Sequence, residues 1–279
     1  MYAICKVDIA PLRQNASDKT EMLSQLRFGE IMQITAVSEN NKWLKIKTLL
    51  DNYEGWIDIL QVQKITESYY QQYSNQLHLH QICSSIQTIC HLLDNKGNIL
   101  ESTHLSKGAI LPFFYEKKDT KNLKPRNKSF FQIEEQLYLF RGEVYEQKYE
   151  PKKLISRALS YKNIPYLWGG KSFWGADCSG FVQEIFKSFQ LFLPRDAYQQ
   201  ALVGEIVADF DEIENGDVAF FAREERIIHV GLVWKKKNAL NIIHARGFIR
   251  VDKLDKMGIW SKQEQNYSHY LHSFRRLKF

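Results

Sequence analysis

The sequence lacks any apolar run approaching the ~20 residues that a membrane-spanning helix needs. Near the N-terminus Lys6, Asp8 and Arg13 interrupt every apolar stretch, so no secretory signal is expected. Both absences lead to the expectation of a cytoplasmic protein with no membrane partner. Cysteine is scarce: 4 in 279 residues, with no CxxC pair. That argues against a disulfide framework and a zinc ribbon, and no metal or cofactor is expected. The 14 Gly and 6 Pro residues are too few for a collagen-like or low-complexity chain. Charge of one sign is also in short supply, with 38 basic and 32 acidic residues and a net charge of +6. Nucleic-acid binders concentrate their charge more sharply, so no such partner is expected. The densest basic stretch is Lys117, Lys118, Lys121, Lys124, Arg126 and Lys128. It contains Pro125, has no helical period, and reads as a solvated loop.

What is present is ordinary globular material: 44% hydrophobic, 13% aromatic and 25% charged residues. The length suggests two or three domains. An α+β multidomain chain is expected, divided at 1–65, 66–148 and 149–279. The first part has short apolar or alternating runs at 2–7, 31–37, 43–47 and 55–59, separated by turn-prone segments. That pattern suggests a small β-barrel. The second part offers strands at 82–89, 99–100, 109–115 and 136–140. Asn95-Lys96-Gly97-Asn98 makes a good hairpin turn. It reads as a second, divergent β-barrel. The third part opens with Pro151 at the start of an amphipathic helix carrying Leu154, Ile155, Ala158 and Leu159 on one face. A Gly-rich segment, a second helix and several strands follow, an α+β order.

The second helix carries the candidate chemistry. Phe181, Val182, Ile185, Phe186 and Phe189 follow the spacing of a buried helical face, so Cys178 falls at the helix start. Free N–H groups and the macrodipole there favour a thiolate and lower a cysteine pKa. On this segment alone a nucleophile and an inert buried thiol fit equally. Downstream, RIIHVGLVW and NIIHARGFIRVD place His229 and His244 on strands. Nucleophilic catalysis needs a base beside the thiol and a third polar group to orient that base. His78, His80, His91, His104, His269 and His272 lack this setting and read as structural or exposed. Cys5, Cys83 and Cys90 read as buried structural thiols.

The series YLWGG, GADCSGF, LPRDAYQQ, GDVAFF, HVGLV and IIHA resembles the NlpC/P60 family of papain-like cysteine peptidases over roughly 150–279. The segment PLR…SQLRFGE…WLKIKT…YEGWI resembles a bacterial SH3 domain. The resemblance implies two SH3-like β-barrels followed by a papain-like catalytic domain. It implies Cys178 as nucleophile, His229 as general base, His244 as the orienting residue and Tyr166 near the oxyanion. Asp177, Ser179, Arg195 and Asp196 match its substrate segments. Glu21 and Tyr53 match positions that receive a free amine. Ala197 stands where many relatives carry Ser, which removes one hydroxyl donor. Within the family the arrangement is similar to γ-D-glutamyl-L-diamino acid endopeptidases that recycle murein peptides. The implied partner is a short peptide such as L-Ala-γ-D-Glu-diaminopimelate, acted on by a monomer. Two alternatives stay open: a papain-like amidase or acyltransferase on another substrate, and a non-catalytic cell-wall-binding protein.

Overall fold

A computed structural model describes residues 1–118, 127–236 and 239–277. The chain forms two compact units, Met1–Gln147 and Lys148–Phe279.

The first unit begins with a seven-stranded antiparallel sheet. Its spatial order is Met22–Arg27, Ile9–Arg13, Glu54–Asp58, Trp43–Thr48, Ile31–Val37, Tyr2–Cys5 and Val62–Ile65. Alternation explains the central strand: Leu44 and Ile46 are buried, while Lys45 and Lys47 are half-buried. The sequence pattern missed Ile9–Arg13, Met22–Arg27 and Val62–Ile65, which are short and carry polar or charged residues. A helix, Glu67–Asn75, follows, with Thr66 Oγ1 accepting from the Tyr69 N–H. A purely β reading of 66–148 did not contain it. A five-stranded sheet completes the unit, in the order Ile99–Ser106, Gln87–Leu93, Gln136–Phe140, Asn127–Ile133 and Tyr115–Lys118. The 95–98 turn joins Gln87–Leu93 to Ile99–Ser106, with Asp94 Oδ1 accepting from Lys96 and Asn98 N–H. The lysine-rich stretch read as a loop falls mainly in 119–126, outside the described residues. Its flanking Lys117, Lys118 and Lys128 lie on paired strands rather than in a loop.

Within this unit a buried polar tie joins the two sheets. Arg27, with no exposed surface, donates to Ser106 Oγ at 2.6 Å and to Asp8 Oδ1 at 3.4 Å. The Ser106 N–H and hydroxyl donate to Asp8 at 2.8 and 2.6 Å.

His80 sits in the same unit against Tyr73, with ring centroids 4.0 Å apart and planes tilted by 34°. The Phe113 N–H donates to its Nδ1, so Nδ1 carries no proton and Nε2–H donates to the Tyr73 carbonyl. Burial lowers its pKa to about 4. A folded pKa below the unfolded value near 6.5 makes this contribution complete above about pH 6.5. It is lost as pH falls from there through about 4. Thermal melts at pH 7.5 and 5 should show the protein less stable at pH 5, and His80→Gln should narrow that gap. An unchanged gap would remove His80 from the acid sensitivity.

The second unit is built on α1 (Pro151–Ser160), α2 (Cys178–Lys187) and six strands. These are β1 (Val218–Arg223), β2 (Arg226–Lys236), β3 (Ala239–Arg246), β4 (Phe248–Leu254), β5 (Gly258–Ser261) and β6 (Asn266–Arg276). Each strand pairs antiparallel with the next, and β6 pairs with both β5 and β1, so the sheet closes into a six-stranded barrel. The expected apolar face of α2 is seated as the spacing requires. Phe181, Val182, Ile185 and Phe186 are buried with Val218, Phe220, Val230, Leu232 and Ile243 of the barrel. Each such side chain contributes about 1.5–3 kcal/mol on burial. α1 adds Leu154, Ile155 and Ala158 to the same core. Among the described residues no helix is long and apolar enough to cross a membrane.

Candidate active site

The loop before α2 places Cys178. Asp177 is the helix N-cap, its Oδ1 accepting from the Gly180 N–H at 2.7 Å. Its Oδ2 accepts from the Gly169 N–H at 2.9 Å, which ties the Gly-rich segment to the helix start. Gly180 is required by packing: a Cβ there would lie 2.1 Å from the Gly170 carbonyl oxygen. These bonds fix Cys178 at the first helical position, where its backbone N–H has no partner within the helix.

Cys178 is 9% exposed. Burial, and secondarily the Asp177 carboxylate, push its thiol up to about 12, while the Val230 N–H and Arg195 pull the other way. The helix start alone suggested a lowered pKa. Depth of burial, which the sequence does not display, reverses that expectation. The Val230 N–H follows His229 in the chain, so the thiol lies beside the strand that carries the expected base.

His229 on β2 and His244 on β3 are 4% and 0% exposed. His229 Nε2 and His244 Nδ1 are 2.7 Å apart, and His244 Nε2 is 3.0 Å from Asp252 Oδ2 on β4. Arg250 reaches Asp252 through Nε at 2.8 Å and Nη2 at 2.9 Å. The Asp252 pKa is lowered: His244 and Arg250 hydrogen bonds overcome its partial burial. An ionised carboxylate can only accept, so the proton between it and His244 sits on His244 Nε2. Burial lowers the His244 pKa and keeps the ring neutral. Nδ1 of His244 is then an acceptor, and His229 Nε2 must carry the hydrogen that fills it. This leaves His229 Nδ1 as a bare lone pair. Burial first, then His244, hold the His229 pKa well below its ordinary value. The chain of bonds therefore presents a neutral imidazole with a fixed tautomer, the form a general base requires.

Asp252 was not singled out from the sequence. The β3–β4 register sets His244 opposite Arg250 and Ile242 opposite Asp252, so the carboxylate is the diagonal neighbour of the His244 ring. The available signal was the hairpin turn at Gly247, which folds IIHA back onto IRVD.

His269 was read as structural or exposed. It lies on β6, half-buried, with its ring stacked on His229 at 4.1 Å and 21°.

Tyr166 lies where the Gly-rich loop meets the barrel, with its N–H donating to the Gly247 carbonyl at 2.9 Å and a bridge to Ala176. Burial, then the neighbouring Cys178 and Asp177, raise its pKa, so the hydroxyl keeps its proton beside the thiol.

Arg195, matched to a substrate segment, is paired within the protein. It is 2% exposed and donates through Nη1 to Asp177 Oδ1 at 3.1 Å and to Ser179 Oγ at 2.9 Å, and through Nη2 to Asp177 Oδ2. Asp177, Ser179 and Arg195 are thus brought together, with each other as partners. Asp196 is half-buried and precedes the short helix Ala197–Gln200, its N–H donating to Gln199 Oε1. Glu21 and Tyr53 belong to the first unit. Glu21 is exposed before Met22–Arg27, and its carbonyl accepts from the Gln14 N–H. Tyr53 packs on the first sheet's core, its N–H donating to Thr48 Oγ1. Cys5, Cys83 and Cys90 are buried and free, with burial pushing each thiol up to about 12. Among the described residues no cluster of His, Cys, Asp and Glu could hold a metal ion.

These features define an SH3-like β region followed by a papain-like α+β domain with a buried Cys and a His–His–Asp chain. The NlpC/P60 family matches residues 163–269, and the bacterial dipeptidyl-peptidase Sh3 domain matches residues 12–61. A probable endopeptidase from Haemophilus influenzae is 33% identical over 137 residues, 48% of this chain and 83% of that protein. The chain belongs to the NlpC/P60 family. A gamma-D-glutamyl-L-lysine dipeptidyl-peptidase from Bacillus subtilis is 45% identical over 92 residues, 32% of this chain and 31% of that protein. The match to this relative and to its Bacillus cereus namesake spans about a third of their length. A crystal structure of an NlpC/P60 family protein from Bacillus cereus shares the fold with a TM-score of 0.74 at 19% identity, covering 99% of both chains.

Proposed function

We propose that this protein is a cysteine endopeptidase that hydrolyses the γ-D-Glu–diamino acid bond of short cell-wall peptides with a free N-terminal L-Ala. The observation that carries the reading is the Asp252–His244–His229 chain, which leaves one bare imidazole nitrogen in the unit that buries Cys178. The Bacillus relatives, named for γ-D-glutamyl-L-lysine dipeptidyl-peptidase activity, support the bond type.

In this mechanism Cys178 and His229 start as neutral thiol and imidazole. Sγ bonds to the γ-carbonyl carbon as its proton passes to His229 Nδ1. The carbonyl π pair moves onto oxygen, where the Cys178 backbone N–H and the Tyr166 hydroxyl receive the negative charge. The C–N bond then breaks, and His229 returns the proton to the leaving amine. Water, deprotonated by His229, attacks the thioester and releases the acid, and the thiol is restored. His244 and Asp252 hold the His229 tautomer throughout. Asp177, Ser179 and Arg195 act from behind, fixing the loop that carries the nucleophile, while Asp196 remains a candidate substrate contact. The resemblance adds Glu21 and Tyr53 as ligands of the substrate amine.

The test is a digest of L-Ala-γ-D-Glu-meso-diaminopimelate and its N-acetylated copy, read by mass spectrometry. Release of diaminopimelate from the free peptide, with the acetylated copy spared, is the expected result. Equal cleavage of both would remove the amine requirement. No cleavage of either would favour a different acyl substrate.

A further inference from the structure

The strand β6 brings a third histidine to the relay that nothing in the mechanism uses. The His269 ring lies nearly parallel to that of His229, with centroids 4.1 Å apart. Phe221 on β1 packs edge-on to His269 at 6.1 Å and lies 5.9 Å from His229. His244 meets His229 from another side, with ring planes at 83°. The His229 ring is therefore walled by His244, Phe221 and His269. His269 is itself fixed: Ser268 Oγ lies 3.1 Å from its Nδ1, and its backbone pairs with Ile259 on β5. The close approach of β5 depends on Gly258, at φ +144, where a Cβ would sit 2.0 Å from the His269 carbonyl oxygen.

We propose that His269 is a positioning residue whose ring covers one face of His229, holding the base in plane and keeping water from it. This rests on the reading of His229 as the base for Cys178. The consequence is twofold. While His229 is neutral, the cover maintains the burial that disfavours its protonation from solvent. When His229 accepts the thiol proton, the resulting cation lies over a neutral π face, a favourable contact in a desolvated site.

The cover works only while it is neutral. Arg223 on β1, His244 and Arg246 on β3 and, on the opposing side, Glu264 between β5 and β6 are the charged and titratable groups acting on His269, besides the stacked His229. Burial, His244 and the arginines lower its pKa to about 4, against the pull of Glu264. His269 is thus uncharged at neutral pH.

The test reads Cys178 directly, by iodoacetamide labelling of the full-length protein followed by peptide mass spectrometry from pH 5 to 9. This needs no peptide substrate. His229→Ala serves as the control for the base itself. His269→Ala should slow labelling of Cys178 at pH 7 about tenfold, because the base is no longer held in the plane that meets the thiol. Burial is the largest cause of the low His229 pKa, so exposing the ring should outweigh the lost contact to its cation and move the acidic inflection of the rate upward. His269→Phe keeps a ring over His229 and should restore most of the rate and the original inflection. If His269→Ala labels with the wild-type rate and inflection while His229→Ala does not, the cover role is wrong and the base stands. If His269→Phe behaves as His269→Ala, the ring face is not what matters and the proposal falls. If labelling is indifferent to His229→Ala, the Cys178–His229 reading fails and takes this inference with it. Melts of each variant confirm that it is folded.

Discussion

Cys178→Ser should lower release of diaminopimelate by about 10³-fold or more, the scale seen when a catalytic nucleophile is lost. The substitution is nearly isosteric at a buried helix start, so the fold should survive it. The chemistry should not. Burial already pushes the Cys178 thiol up to about 12, and a serine hydroxyl in the same place is harder still to ionise. A neutral imidazole can take a proton from a thiol during attack, but is a poor match for an alcohol without further help. Turnover of the free-amine peptide, measured beside a melting curve, checks this. A folded Cys178→Ala variant, which has no nucleophilic atom there, retaining more than about 1% of the activity would exclude Cys178 as nucleophile.

Arg195→Met should be the most damaging substitution to stability in the second unit. Arg195 and Asp177 are 2% and 9% exposed at their side chains, and Asp177 also caps α2 and holds Gly169. Removing the guanidinium leaves a carboxylate buried beside Cys178, a change that costs about 3–5 kcal/mol. For a unit of this size the melting temperature should fall by about 10 °C or more. The double variant Arg195→Met with Asp177→Asn should recover part of the loss, because the stranded charge is gone. The competing expectation, in which Arg195 grips a substrate carboxylate, gives the opposite signature: an unchanged melting curve and a raised KM. Denaturation curves of the three proteins decide between them.

The sequence made some of this legible and concealed the rest for identifiable reasons. Cys178 could be placed at a helix start because four apolar residues in 181–186 repeat with helical spacing, and the structure seats them as that spacing requires. His229 and His244 stood out because each interrupts an apolar strand, where an imidazole needs a partner. Asp252 and His269 did not stand out. Each is one polar letter on a strand of mixed exposure, and their placement beside His244 and His229 comes from the pairing of strands that fold back on one another. The thiol pKa was misjudged because a helix terminus is visible in sequence and burial depth is not. Arg195 and Asp177 were ambiguous in a different way. Opposite charges in a site loop suit a ligand and suit each other, and only coordinates show which partner they have taken. The helix Glu67–Asn75 escaped notice because its residues ESYYQQYSN bury only Tyr69 and Tyr73, too few for a visible stripe.

The closed barrel has a consequence for how activity can be lost. The chain of hydrogen bonds crosses three adjacent strands, with His229 on β2, His244 on β3 and Asp252 on β4. A slip of one residue between any two would turn a histidine or the aspartate to the opposite face of the sheet. In a closed ring such a slip cannot be absorbed at a free edge, because β6 returns to pair with β1. Alignment of this chain and closure of the ring therefore rest on the same strand registers. Under the proposed mechanism, damage to any of these strands is expected to cost peptide cleavage together with the fold, read as activity beside a melting curve.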